Sequence, residues 1–426
     1  MSQKDLYAGS RICYIIEATT EYLISLLITG AYLAKLTTTL GFSDNLTAML
    51  SSFVALGCSF QLFAITFFKK GRVKRRITFL HTLNQLFFMS IYVVPFLKLG
   101  NDVKTALFIL LFVIGYFVSN IVFPPKINWF MSLVEDKKRG VFTSIKEAVS
   151  LISGIIFQLA IGILIDHFET TGDSNTSFIV CGITIFALMI IHTLSLIFAK
   201  EKESINTNKE TNKGGFKEII TDKNIMIVIF SSVFWTICTH ITTPFLGTYQ
   251  IKELGFSMTF VGVLSFVYAV ARIPFSFVFG KYADKYSFAK MLKICYTIDA
   301  ISYLVAAFTR PENGHVMYTL YYILHAISMG GVNSAAINLI FDYVPPEKRS
   351  NALAVKQTIY GISGFVATVV ATPLVSFIQK NGNMFLGINI YAQQVLAAIS
   401  FIGIFLLIFY IDKTVLKIQP YNREND

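Results

Sequence analysis

The sequence predicts an all-α integral membrane protein with twelve transmembrane helices arranged as two pseudo-symmetric six-helix bundles. Three observations predict it. Hydrophobic residues make up 54% of the 426 residues, with 40 Phe, and charged residues only 14%, whereas a soluble domain carries about 25%. The apolar residues fall in long runs rather than in amphipathic or alternating patterns. A helix of about 20 apolar residues crosses a bilayer and satisfies its own backbone, and the alternating ten-residue segments of a membrane β-barrel are absent. Finally, the chain repeats itself. Residues 134–154, VEDKKRGVFTSIKEAVSLISG, align with 344–364, VPPEKRSNALAVKQTIYGISG, at an offset of 210. Seven of the 21 columns are identical, among them Arg139/Arg349, Lys146/Lys356 and Gly154/Gly364. A self-match at half the chain length indicates two homologous halves.

In chain order the spans are expected at 12–36, 46–68, 77–97, 105–130, 142–166, 177–199, 224–250, 259–280, 289–309, 315–341, 352–378 and 386–411. Most connections are short. The exception, 200–223, reads KEKESINTNKETNKGGFKEIITDK, polar enough to be a flexible cytoplasmic linker. It separates an N-terminal six-helix half, 1–199, from a C-terminal half, 224–426. The five cysteines lie within or at the start of apolar runs without a CxxC pair, as small hydrophobes rather than metal or redox groups. The polar first ten residues and a long first apolar run argue against a cleaved signal peptide.

Charge fixes the orientation. The termini and the loops entering odd-numbered spans hold 28 of the 36 Lys and Arg; the opposite loops hold six. The positive-inside bias places both termini in the cytoplasm, and the plasma membrane is the expected site. The net charge of +11 is then that of basic loops at a lipid surface and calls for no nucleic-acid partner.

Twelve spans as six plus six, a central linker and the 210-residue repeat resemble the major facilitator superfamily of secondary transporters. A loop motif supports the resemblance. That family carries Gly-x-Leu-Ala-Asp-Arg-x-Gly-Arg-Arg/Lys between spans two and three, echoed between eight and nine. Here the second copy, GKYADKYSFAK, keeps Gly280, Ala283, Asp284 and the basic Lys285, but has Ser287 in place of the second glycine and Phe288 and Ala289 in place of the basic pair. The first copy, TFFKKGRVKRR, has Lys70 in place of the aspartate and keeps Lys74 and Arg75. Pro346, Glu347 and Arg349 resemble the family's Pro-Glu-x-x-Arg loop before span eleven, with one residue, Lys348, where the family has two. A carboxylate such as Asp284, beside a helix start and near Arg349 or Lys356, is expected to make a gating contact. Arg139 and Lys146 take the corresponding positions in the first half.

Ionisable residues inside spans are costly and are functional candidates. Glu17 and Glu21, four residues apart, share one face of span one. They lie about 9 and 15 Å in from Arg11. Two close carboxylates in a poorly solvated site do not both ionise easily, which suits a proton- or cation-coupling group; a structural pair with a Lys or Arg is the alternative. Arg272, deep in span eight, is expected to meet a carboxylate or an anionic substrate group. Span four carries Asn120 and then FPPKINWF. Its double proline is expected to break the helix beside a binding site, with Lys126 and Trp129 following. Gln158, His240, His325 and Asn333 complete the polar substrate-binding candidates. The resemblance implies that spans one, four, seven and ten line the cavity, and so it raises Glu21, Asn120, His240, His325 and Asn333. It lowers Asp299 and His192. Asp166 and His167 close span five and are expected to be solvated.

There is no GxxxxGK[ST], HExxH or GxSxG pattern, so ATP hydrolysis and the common hydrolase chemistries are not expected. The reading is a non-enzymatic secondary transporter of a small polar organic solute, with a lean towards a sugar or related metabolite. It works by alternating access with a proton or Na⁺, as a monomer in the bilayer, without cofactor or metal. A drug exporter of the same fold is the runner-up, although span five lacks the proline-rich stretch of such exporters. A non-transporting receptor or scaffold is the third reading, against which the intramembrane carboxylates weigh.

Overall fold

The computed structural model describes residues 6–61, 68, 72–135, 139–202, 213–345, 348–385 and 387–420. The motif residues Lys70, Pro346 and Glu347 and the side chain of Arg139 lie outside them.

The described chain is helical almost throughout. The first unit contains α1 (Ala8–Leu27), α2 (Gly30–Thr39), α4 (Lys74–Ile91), α5 (Asn101–Met131), α6 (Arg139–Thr170) and α7 (Ser174–Phe198). α3 (Asp44–Phe60) belongs almost wholly to the second unit, with α8 (Lys213–Thr221), α9 (Lys223–His240), α11 (Phe288–Ala307), α12 (Gly314–Tyr343), α13 (Arg349–Lys380) and α14 (Ala392–Lys413). α10 (Met258–Lys285) starts in the first unit and continues in the second from Val263. A two-residue hairpin, Met384–Phe385 with Ile388–Asn389, precedes α14. Seven described helices are long and apolar enough to cross a membrane, or eight if α1 and α2, bent by 43°, form one span. Side chains such as Val370 (70% exposed) and Phe277 (69%) cover the outside, a surface that fits lipid.

Local chemistry sets the boundaries. α1 and α2 part at Thr29 and at Gly30, whose φ of +56° is open to glycine without steric cost. Asp222 caps α9 by accepting from the amides of Asn224 and Ile225, and Ser287 caps α11 by accepting from Lys290. Two expectations are corrected. α5 runs unbroken through Pro124 and Pro125; prolines persist inside membrane helices because neighbouring groups take up the freed carbonyls. The irregular backbone lies instead after α9, in a 3₁₀ turn at Thr243–Phe245 and a π turn at Tyr249–Glu253. The stretch read as linker ends in α8, where Ile219 is fully buried. Its apolar residues, Phe216, Ile219 and Ile220, recur at helical spacing that the polar average conceals.

In the first unit α1 packs on α6 and α7, and α4 on α5 and α7. Its core includes Tyr14, Ile77, Ile121, Trp129, Phe130 and Leu196. In the second unit α11 packs between α12 and α14, and α9 against α13 and α14. Small residues bring backbones close, as membrane helices require. A Cβ on Gly162 would stand 2.5 Å from the carbonyl oxygen of Met258, and one on Gly361 would stand 2.5 Å from that of Ala55.

Candidate functional site

Four helices of the first unit converge on one polar cluster. α1 supplies Glu17 and Glu21 from one face, α5 supplies Lys126, α4 supplies His81 and α7 supplies His192. The Lys126 ammonium lies 2.7 Å from Glu17 Oε1 and 2.9 Å from His81 Nε2, and it also donates to Glu21 Oε2. His192 Nε2 lies 3.1 Å from Glu17 Oε1. Glu17, His81 and His192 are fully buried and Lys126 nearly so, whereas the Glu21 side chain keeps 24% exposure.

The partners assign the protons. An ammonium has three donors and no acceptor, and here three acceptors meet it. His81 Nε2 also lies 3.2 Å from Glu21 Oε1: as a neutral imidazole it accepts from Lys126, and as an imidazolium it donates to Glu21, while its Nδ1–H donates to Asn84 Oδ1 at 2.9 Å. Asn84 is held in turn by its Nδ2–H bond to the Gly115 carbonyl at 3.2 Å. His192 carries its proton on Nε2, facing the carboxylate. With both imidazoles neutral, two carboxylates and one ammonium leave one negative charge uncompensated, and one further proton in the cluster, on His81 or on a carboxylate, balances it. Glu17 Oε2 and His192 Nδ1 are buried without a hydrogen-bond partner among the described residues. Such a cluster is costly as it stands and has acceptors to spare for one more proton.

Glu17, His81 and His192 also offer ligand atoms within 4.8 Å of one another. Lys126 is seated among them, so a fixed ammonium fills the space a metal ion would need. The arrangement is that of an ion-pair centre.

A second cluster lies in the second unit. Asp299 of α11 is fully buried and accepts from His325 Nδ1 at 2.7 Å and from Trp235 Nε1 at 3.2 Å. His325 lies among tyrosines: its ring stacks on Tyr321 at 5.6 Å and lies 6.2 Å from Tyr268.

The remaining candidates are more dispersed. Asn120 donates to the Tyr116 carbonyl at 2.9 Å and accepts from Gln61 at 3.5 Å. Trp129, expected beside a binding site, is wholly enclosed, stacked on Phe130 and bonded to the Lys200 carbonyl, which makes it a packing residue. Gln158 is half-buried, and its main-chain carbonyl accepts from Tyr32. His240 is half-buried with Nδ1 3.2 Å from the Thr236 carbonyl. Asn333 is exposed. Arg272 is half-buried and, among the described residues, has no carboxylate partner. Asp284 is exposed, and the expected pairing with Arg349 or Lys356 does not form. Arg349 instead bonds the carbonyls of Val344 and Phe341, and Lys356 that of Ala336. Lys146 sits over the Tyr14 ring at 5.5 Å. Asp166, expected in solvent, caps α10 by accepting from the amides of Met258 and Thr259 at 2.8 and 2.7 Å.

Sequence reasoning missed His81 altogether and set His192 and Asp299 aside. A signal for His81 was present: His81, Asn84, Gln85 and Phe88 recur at helical spacing in an apolar run, and all four are buried. Three polar residues on one buried face of a span mark a polar partner across the helix contact.

The profile of the Major Facilitator Superfamily matches residues 12–368 and, in a second match, 237–423. The chain belongs to the major facilitator superfamily. Membership makes it a multi-pass membrane transporter rather than an enzyme. Solved structures share its fold at low identity. A mutant of the nucleoside transporter NupG superposes with a TM-score of 0.73 at 14% identity, covering 95% of this chain and 99% of that one. A D-xylose-proton symporter gives 0.67 at 14% identity, covering 97% and 98%. A bacterial homologue of the iron transporter ferroportin, facing inward, gives 0.68 at 13% identity, covering 97% and 99%. No curated protein sequence matches this superfamily member.

Proposed function

We propose that this protein is a proton-coupled secondary transporter of a small polar organic solute, working by alternating access. One observation carries the reading: two carboxylates, Glu17 and Glu21, share one fixed ammonium, Lys126, with His81 and His192 in contact, so a single proton sets the charge balance of the cluster. While both carboxylates are charged, Lys126 ties α1 to α5. A proton on either one replaces an ion pair with an ordinary hydrogen bond and loosens the tie, so proton binding and helix position become linked. A proton suits the site better than Na⁺. Two of its four acceptor side chains are imidazoles, whereas hard cations take oxygen ligands, and a fixed ammonium already occupies the centre.

The solute class rests on the polar groups in the spans: Asn120, Gln158, His240, Arg272, His325 and Asn333. Arg272, a fixed cation without a carboxylate partner among the described residues, favours a solute with an electron-rich edge. Structures of the same fold are named as carrying nucleosides and xylose, which keeps a sugar-like metabolite the leading class. The proposal includes twelve spans, both termini in the cytoplasm, residence in the plasma membrane and action as a monomer.

Uptake into proteoliposomes with a panel of labelled solutes tests it. An imposed inward proton gradient should drive accumulation of at least one polar solute, and a Na⁺ gradient of the same size should not. Binding without gradient-driven accumulation would leave a receptor in place of a transporter.

A further inference from the structure

We propose that the second unit carries a subsite for a ring-bearing solute, walled by Tyr268, Tyr322 and His325, with Asp299 as the residue that positions His325. The proposal rests on the transport reading and narrows its substrate class.

Three observations lead to it. The first is the Asp299–His325 bond. In the neutral imidazole the accepting carboxylate holds the proton of His325 on Nδ1 and leaves Nε2 as an acceptor. The imidazole is backed by the fully buried Tyr321, with 18° between the ring planes, and its side chain keeps 15% exposure. Its open edge is thus a fixed hydrogen-bond acceptor. Trp235 also donates to Asp299, at 3.2 Å, and holds the carboxylate in place.

The second observation is the aromatic wall. Tyr268 lies 6.2 Å from His325 and 6.0 Å from Tyr322, both distances between ring centroids. All three rings are partly open, whereas Tyr303, Tyr318 and Tyr321 behind them are buried. Partly open rings held by buried ones form a rigid surface for the face of another ring. The third is Gln250, in the π turn after α9. Its Nε2 donates to the hydroxyls of Tyr318 and Tyr322 at 2.8 and 3.1 Å. Its Oε1 is buried without a partner among the described residues. Native structures leave few such acceptors unsatisfied. Two acceptors, His325 Nε2 and Gln250 Oε1, beside one aromatic wall suit a solute with a flat face and O–H or N–H donors on its edge. A sugar ring and a nucleobase both have that chemistry.

The test is equilibrium binding to the detergent-purified full chain, with labelled uridine and labelled xylose as ring probes and ribitol as an open-chain competitor. Saturable binding of at least one ring probe is expected, with ribitol competing poorly; which probe binds separates nucleobase from sugar. Tyr268→Leu and Tyr322→Leu should each weaken Kd about tenfold by removing a stacking face. Asp299→Asn frees His325 to take the other tautomer and should weaken Kd about tenfold. In a His325→Gln background, where the side-chain oxygen accepts whatever its neighbour does, Asp299→Asn should cost less than twofold. A purely structural role for Asp299 would cost the same in both backgrounds and overturn the assignment. Failure of both ring probes to bind, or equal competition by ribitol, overturns the subsite. Ring-probe binding without gradient-driven accumulation would sink the transport reading and leave the subsite standing.

Discussion

Lys126→Met removes the ammonium and keeps most of the side-chain volume. In the native protein that ammonium donates to Glu17, Glu21 and His81, and with the lysine gone both carboxylates lose their countercharge. Removing one partner of a buried ion pair costs about 3–5 kcal/mol. The separate hydrogen bonds, about 1.5–3 kcal/mol each to a charged group, cannot simply be added, because the freed carboxylates pick up protons instead of remaining charged. A net loss of about 3–5 kcal/mol is therefore the expectation. The two carboxylates differ in exposure, so the rescues should differ. Glu17 is fully buried whereas the Glu21 side chain is 24% exposed. Glu17→Gln in the Lys126→Met background should restore more than Glu21→Gln, since the carboxylate left behind then reaches water. The penalty should grow as pH rises, because only the charged carboxylate lacks a partner. Thermal unfolding of the purified proteins between pH 5 and 8 measures all of this. A Lys126→Met protein as stable as the native one at neutral pH, or two rescues of equal size, would refute the reasoning.

Three further expectations are local. Asn84→Leu strips His81 Nδ1–H of its acceptor and should cost about 1–3 kcal/mol, seen as a lower midpoint of thermal unfolding; an unchanged midpoint would mean that His81 finds another partner. Asp166→Ala removes the carboxylate cap of α10 and should cost about 0.5–2 kcal/mol. Hydrogen exchange should quicken at Met258 and Thr259 but not at Phe260, whose amide is held by Ser257 Oγ at 3.1 Å. Gly162→Ala places a methyl 2.5 Å from the Met258 carbonyl oxygen and should lower the unfolding midpoint, whereas Gly280→Ala, with open space around its Cβ position, should not.

The sequence carried the fold well because its signal is one-dimensional. Hydropathy marks where a helix can cross a bilayer, and the repeat at 210 residues marks the duplication. The shared face of Glu17 and Glu21 was equally legible, since four residues make one helical turn. Their partners were not. Lys126 is 105 residues beyond Glu21, and His192 is 175 beyond Glu17. Which face of one helix meets which face of another depends on its rotation about its own axis, and helices that are apolar all round leave that rotation unmarked. The double proline misled for a related reason. Pro124 and Pro125 were expected to break the helix beside a binding site, but the helix continues and carries Lys126 to the carboxylates. Ranking spans by their implied distance from the cavity set His192 and Asp299 aside, because an outer helix still turns one face inward.

Proton-driven accumulation against solute exchange, measured in proteoliposomes for the native chain and for Glu17→Gln and Glu21→Gln, tests the coupling assignment most directly. The native protein should accumulate solute under an imposed proton gradient. The two variants should exchange solute across the membrane at near-native rates and accumulate none. Full accumulation by either variant would take that carboxylate out of the coupling role, and by both would remove the cluster from it.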